Sequence, residues 1–198
     1  MAIANLEKKR IHCKVLCLGA PLSGKKSFLS ALSKHFDDRL IEKEEPQESH
    51  NSLNHSDFYF LPLNLGSIES YQLKIHFYMF SKASCPTLQN ILFNGVDGCI
   101  FLVDSCVEKV AENFLFVQEC KDKIAKRYGD LENFPQVYYY NKRDRSDVFP
   151  VGILQQQFNP SSCSYFEGVA EQSLAVFDSF LDLSKQIIAK MSKLRDEV

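Results

Sequence analysis

The chain has 198 residues, of which 45% are apolar and 24% charged, with a formal net charge of −2. This is the composition of an ordinary globular protein; it excludes disordered and fibrous classes, and the charge supplies no basic surplus to draw the chain onto nucleic acid. No run approaches the roughly 20 apolar residues that span a bilayer, and residues 1–10 carry charges with no apolar signal region behind them, so a cytoplasmic protein without a transmembrane segment is expected.

In chain order, residues 14–18 are short, apolar and followed at once by a glycine-containing turn, which suits a buried strand. Phe28, Leu29, Leu32 and Phe36 then recur at helical spacing. Residues 37–56 are polar and acidic and read as an exposed loop. Two β-rich runs, 58–65 and 71–80, flank Gly66-Ser67-Ile68-Glu69-Ser70, and in the second Gln72, Lys74, His76 and Tyr78 alternate with Leu73, Ile75, Phe77 and Met79, a hairpin signal. Residues 99–103 are apolar throughout, as a parallel strand covered on both faces must be, and end at Asp104. A helix over 107–127, a strand at 136–140, a helix near 152–158, a short strand near 164–166 and a closing helix follow. Leu174, Phe177, Leu181, Ile188 and Met191 are expected to form the apolar stripe of that last helix, with the chain fraying after Lys190. Strands alternating with helices predict an α/β fold: a mostly parallel, six-stranded sheet with helices on both faces, in one domain over residues 1–198 with a core from about 12 to 194. Ligands in such sheets sit outside the carboxyl ends of the strands.

Seven cysteines, Cys13, Cys17, Cys85, Cys99, Cys106, Cys120 and Cys163, are scattered and contain no CxxC pair. They read as reduced thiols, several in apolar runs, and metal-ligand spacing is missing.

The run Gly19-Ala20-Pro21-Leu22-Ser23-Gly24-Lys25 has the G-x-x-x-x-G-K spacing between a predicted strand and a predicted helix. Such a loop turns successive backbone N–H groups toward phosphate oxygens, the helix N-terminus adds partial positive charge, and Lys25 adds a mobile cation. The next position should carry a hydroxyl that holds Mg²⁺; here it is Lys26, with Ser27 one place late. Asn141-Lys142-Arg143-Asp144 follows the strand at 136–140, on the same rim as the phosphate loop. An Asp carboxylate there can accept from both the ring N–H and the exocyclic amine of guanine, a charge-assisted pair that adenine cannot match.

These motifs, with Phe60-Leu61-Pro62-Leu63, Leu65-Gly66, His76, Tyr78, Gly95-Val96-Asp97-Gly98, Val103-Asp104-Ser105, Glu167-Gly168-Val169-Ala170 and Val176-Phe177, occur in an order and at spacings that resemble the bacterial Ras-like small GTPases of the gliding-motility and polarity type, the MglA type, over residues 14–180. The resemblance implies a P-loop nucleotide fold that binds GTP or GDP. Gly19, Ser23, Gly24, Lys25, Lys26 and Ser27 would lie at the phosphates, and Asn141, Lys142, Asp144, Val169 and Ala170 around the base. It also implies a protein partner, a roadblock-type regulator, contacting the loops at 37–56 and 79–90.

Three positions depart from the family's pattern. Lys26 replaces the metal-binding hydroxyl, His55 stands where a threonine closes over Mg²⁺ and the last phosphate, and Met79-Phe80-Ser81-Lys82-Ala83 lacks the Gly and Gln that sense phosphate and position water. Phosphoryl transfer depends on that positioning and on the bridging ion, so weak or absent hydrolysis and a doubtful Mg²⁺ requirement are expected. Two other readings stand beside this one: an interaction module that keeps the fold and binds no nucleotide, and a P-loop ATPase or kinase using Asp104 as a metal ligand.

Overall fold

The computed structural model describes residues 3–5, 9–36, 58–68, 70–80, 86–129 and 131–196. Its strands are β1 (Ile3–Asn5), β2 (Arg10–Leu18), β3 (Phe58–Ile68), β4 (Tyr71–Phe80), β5 (Gly98–Asp104), β6 (Gln136–Asn141) and β7 (Tyr165–Glu167). They form one sheet in the order β3-β4-β2-β5-β6-β7. The β3–β4 pair is antiparallel and the other neighbours along this path are parallel. The six expected strands are all present. The seventh, β1, is not among the expected strands; it pairs antiparallel with the start of β2, with Ile3 in backbone register with His12.

Alternation along each strand divides the core between two faces. On one, Val15 and Cys17 of β2, Ile100 and Leu102 of β5 and Tyr139 of β6 pack against Phe28 and Leu32 of α1 (Lys25–Ser33) and Phe180, Leu183 and Ile187 of α5 (Val176–Asp196). On the other, Leu16, Leu18, Phe101, Val103, Tyr138 and Tyr140 meet α2 (Pro86–Phe93), α3 (Val110–Tyr128) and α4 (Val151–Phe158) through Phe93, Val117, Ile124, Leu154 and Phe158. Every residue of β5 and β6 is buried, the mark of central parallel strands covered twice.

Two expectations for the last helix are corrected. It continues to Asp196 rather than fraying after Lys190. Its buried stripe is Val176, Phe180, Leu183 and Ile187, while Leu174 precedes the helix and is exposed, as is Leu181; Phe177, Ile188 and Met191 pack at the stripe's edge. The expected helix at 107–127 is a 3₁₀ turn, Val107–Lys109, leading into α3. The 37–56 loop lies outside the described residues, and so do His55 and Ser81, Lys82 and Ala83.

β2 lies between two parallel neighbours, β4 on one side and β5 on the other, so the sheet grows in opposite directions from it. That is the switch point at which open α/β sheets leave a crevice at the carboxyl rim. The phosphate-loop sequence begins there.

Candidate functional site

Residues 19–24 turn the chain from β2 into α1. Two glycines make the turn possible. Gly24 has φ +98°, and a Cβ there would collide with the Asn141 Nδ2; at Gly19 a Cβ would meet the Leu102 carbonyl oxygen and Ser23 Oγ, each at 2.5 Å. Leu22 also takes a positive φ and is 78% exposed at the lip of the turn. The first turn of α1 contains no acidic residue and no side chain caps it, so its N-terminal N–H groups and partial positive charge face the rim. The Lys25 ammonium folds back and donates to the carbonyls of Gly19 and Ala20 at 2.7 and 2.8 Å. Burial pulls its pKa below the ordinary lysine range. An anion beside it would reverse that shift, because a nearby opposite charge favours the charged form.

At the end of β6, Asn141 joins three parts of the site. Its buried amide donates to the Ser23 carbonyl at 2.8 Å and accepts from the Ala170 N–H at 2.9 Å, tying the phosphate loop to the turn after β7. Lys142, at φ 64°, sends its ammonium to Asp104 Oδ2 at 2.7 Å. Asp104 Oδ1 accepts from the Cys106 N–H. Asp144 is exposed, and among the described residues its carboxylate makes no hydrogen bond or ion pair, so its acceptors are free for a ligand.

These elements surround a cavity of about 760 Å³, within the range of small-molecule and cofactor sites. Gly24, Lys25, Lys26, Ser27, Asn141, Lys142, Asp144, Val169 and Ala170 line it. Gly19 and Ser23 do not; both are buried beneath the turn, and among the described residues Ser23 Oγ has no hydrogen-bond partner. The wall also includes Tyr59, Met79 and Phe80, from the antiparallel strands β3 and β4, together with Arg145 and Glu171. Sequence reasoning left these out. Tyr59 and Met79 are cross-strand partners, and only the fold shows that this pair faces α1. The Lys26 ammonium lies 4.7 Å from the centroid of the Tyr59 ring.

Asp104 is not available as an open metal ligand, because Lys142 and the Cys106 N–H occupy its carboxylate. The six described cysteines are free thiols, five of them buried; Cys85 lies outside the described residues. Among the described residues no cluster of three or more His, Cys, Asp or Glu is placed to hold a metal ion, and no helix is long and apolar enough to cross a membrane.

A mostly parallel sheet with a G-x-x-x-x-G-K turn at its switch point and Asn-Lys-x-Asp at the end of β6 defines a Ras-like P-loop fold. No family model matches the chain. The chain is similar to the mutual gliding-motility protein MglA of Myxococcus xanthus (strain DK1622), with 27% identity over 202 residues that cover 98% of this chain and 99% of that one. The likeness to MglA-type Ras-like proteins therefore runs nearly end to end.

Proposed function

We propose that the chain is a guanine-nucleotide-binding, Ras-like switch or scaffold protein whose intrinsic GTP hydrolysis is weak or absent. The observation that carries this reading is the shared cavity: the phosphate loop and an unpaired Asp144 carboxylate line one space, held in register by the Asn141 amide. The phosphates would lie along the N–H groups of the turn and the start of α1, with Lys25 beside them. Asp144 would accept from guanine's ring N–H and exocyclic amine, and Val169 and Ala170 would close the base's edge.

Mg²⁺ is a poor fit to the residues present. The hydroxyl position is taken by the exposed Lys26 ammonium, and Asp104 is already paired with Lys142. Met79 and Phe80, which line the cavity at the end of β4, are apolar and lead into a segment without the water-positioning Gln. Both features argue against efficient phosphoryl transfer.

The output of such a protein is protein binding in the cytoplasm. The resemblance points to a roadblock-type regulator acting through 37–56 and 79–90, in a motility or polarity system; the relative's name speaks of gliding motility. The Asp104 pairing disfavours the ATPase reading, and the unpaired Asp144 disfavours a nucleotide-free module.

Titration calorimetry with GTP, GDP and ATP tests the proposal. Guanine nucleotides are expected to bind and ATP not, Asp144→Asn should shift preference toward xanthine nucleotide, and turnover of saturating GTP should stay below roughly 10⁻⁴ per second. Equal affinity for GTP and ATP would overturn the base assignment, and rapid turnover the assignment of weak hydrolysis.

A further inference from the structure

Four cations line the cavity, and three are engaged with oxygen. Lys25 donates to two carbonyls, Lys142 is paired with Asp104, and Arg145 is paired with Asp147 at 2.9 Å. Among the described residues Lys26 differs: its ammonium meets neither carboxylate nor carbonyl, and it sits over the Tyr59 ring. A ring face attracts a cation electrostatically without neutralising it, so this charge stays available to an anion in the cavity while its position is restrained. Tyr59 is itself fixed. It is half-buried against the core that α1 covers, and it is held in β3 opposite Met79.

We infer that Tyr59 is a positioning residue that holds the Lys26 ammonium at the phosphate end of the cavity, where Lys26 takes the place of a divalent cation against the phosphates of a guanine nucleotide. This rests on the nucleotide-binding reading above and names the device by which that site works without a metal. No bond forms or breaks; the ammonium supplies one positive charge where the ion would supply two. In a metal-dependent site a hydroxyl at this position holds the ion that neutralises the β and γ oxygens. Here that position carries a strongly hydrated point charge on a flexible stem, able to reach a phosphate oxygen directly. A lysine so placed would also repel a divalent cation from the same spot, so lysine and ion are alternatives rather than additive parts. The aromatic ring supplies what a free lysine lacks, a restraint on the long side chain that lowers the ordering cost of binding. The Tyr59 hydroxyl has no part in this, and phenylalanine should serve as well.

Calorimetry on the full chain with GTP, in Mg²⁺ and in chelator, tests the inference. The wild type should bind GTP with affinities that agree within about threefold in the two conditions. Lys26→Met should weaken GTP at least tenfold in chelator, about 1.4 kcal/mol, and Lys26→Thr should bind tightly only when Mg²⁺ is present. Tyr59→Leu should weaken GTP roughly fivefold, as expected for loss of an exposed cation–ring contact. Tyr59→Phe should match the wild type. Combined with Lys26→Met, Tyr59→Leu should cost nothing more, because a positioning residue has no effect once its charge is gone; a packing defect would add its own loss in both backgrounds and lower the melting temperature. A tenfold loss of wild-type affinity on chelation, or unchanged binding by Lys26→Met, overturns this inference and leaves the proposed function standing. Equal binding by Tyr59→Leu and wild type overturns the role of Tyr59. Failure of the wild type to bind guanine nucleotide in either condition overturns both the function and the inference.

Discussion

At the scale of single residues, Asn141 holds the site together and does so by contacts to protein. Its amide has two polar ends, and both are spent: one on the carbonyl of Ser23 in the phosphate loop, the other on the N–H of Ala170 beyond β7. Gly24 is the complement of this arrangement, since the amide occupies the space that any Cβ at 24 would need. Asn141→Ala removes both bonds and leaves a buried carbonyl and a buried N–H in search of partners. The expected cost is about 2–4 kcal/mol, because an unsatisfied buried group costs more than the bond itself contributed. Asn141→Asp keeps an acceptor for Ala170 but sets a carboxylate against the Ser23 carbonyl, so it should be destabilising as well. Urea denaturation midpoints measure this, and an Asn141→Ala midpoint equal to that of the wild type would show that the clamp carries no stability. The sequence makes the Asn-Lys-x-Asp run visible and places it on the correct rim, yet it does not reveal which member faces ligand and which faces protein. That division depends on where the turn after β7 lands, a long-range contact that no local spacing encodes.

Elements were legible in proportion to how strongly one physical signal dominated them. The continuous apolar run of β5 and the alternation in β4 were unambiguous, because burial on two faces or on one leaves different patterns. β1 was not legible: three residues carry too little pattern, and its existence depends on the free edge that β2 offers before β5 begins pairing at Val15. The closing helix shows a subtler failure. Its period was correct and its phase was not, because apolar residues at Leu174 and Leu181 continue the sequence pattern onto a surface the sheet does not reach. The stripe that packs, Val176, Phe180, Leu183 and Ile187, holds α5 against β5 and β6 on the face it shares with α1. Phe180 is 1% exposed and Leu181 is 38% exposed, and this adjacent pair separates the two phases. Phe180→Ala should cost about 3–5 kcal/mol, as truncation of a buried aromatic does. Leu181→Ala should cost less than about 1 kcal/mol, since it removes a side chain that water already reaches. Similar midpoints for the two variants in the same denaturation assay would contradict the packing of α5.

At the scale of the whole molecule, the thiols report how completely the sheet is covered on both faces. Burial raises the thiol pKa of Cys17 on one face, and of Cys120 on the other, to about 12 in each case. In the unfolded chain a thiol releases its proton near 8.5. Below that pH both states hold the proton and the contribution to stability is constant. Above it the unfolded chain loses protons that the native core keeps, so the unfolded state binds fewer protons and stability falls as pH rises, up to the native value near 12. Each such thiol contributes a slope of up to about 1.4 kcal/mol per pH unit in that window. Lys25 acts in the opposite sense, because its lowered native pKa relieves a cost of burying charge as the pH climbs, so the net alkaline slope of the wild type does not isolate the thiols. The comparison that does is with Cys17→Ala and Cys120→Ala together. The double variant should be less stable at pH 7.5, from lost packing, yet should lose less stability than the wild type between pH 9 and 11, by an amount approaching the summed slopes of two buried thiols. Parallel loss of stability in the two proteins across that window, measured by denaturant midpoints, would mean that water reaches Cys17 and Cys120 before the core unfolds and that the two-sided cover of β2 and β5 is looser than the packing described.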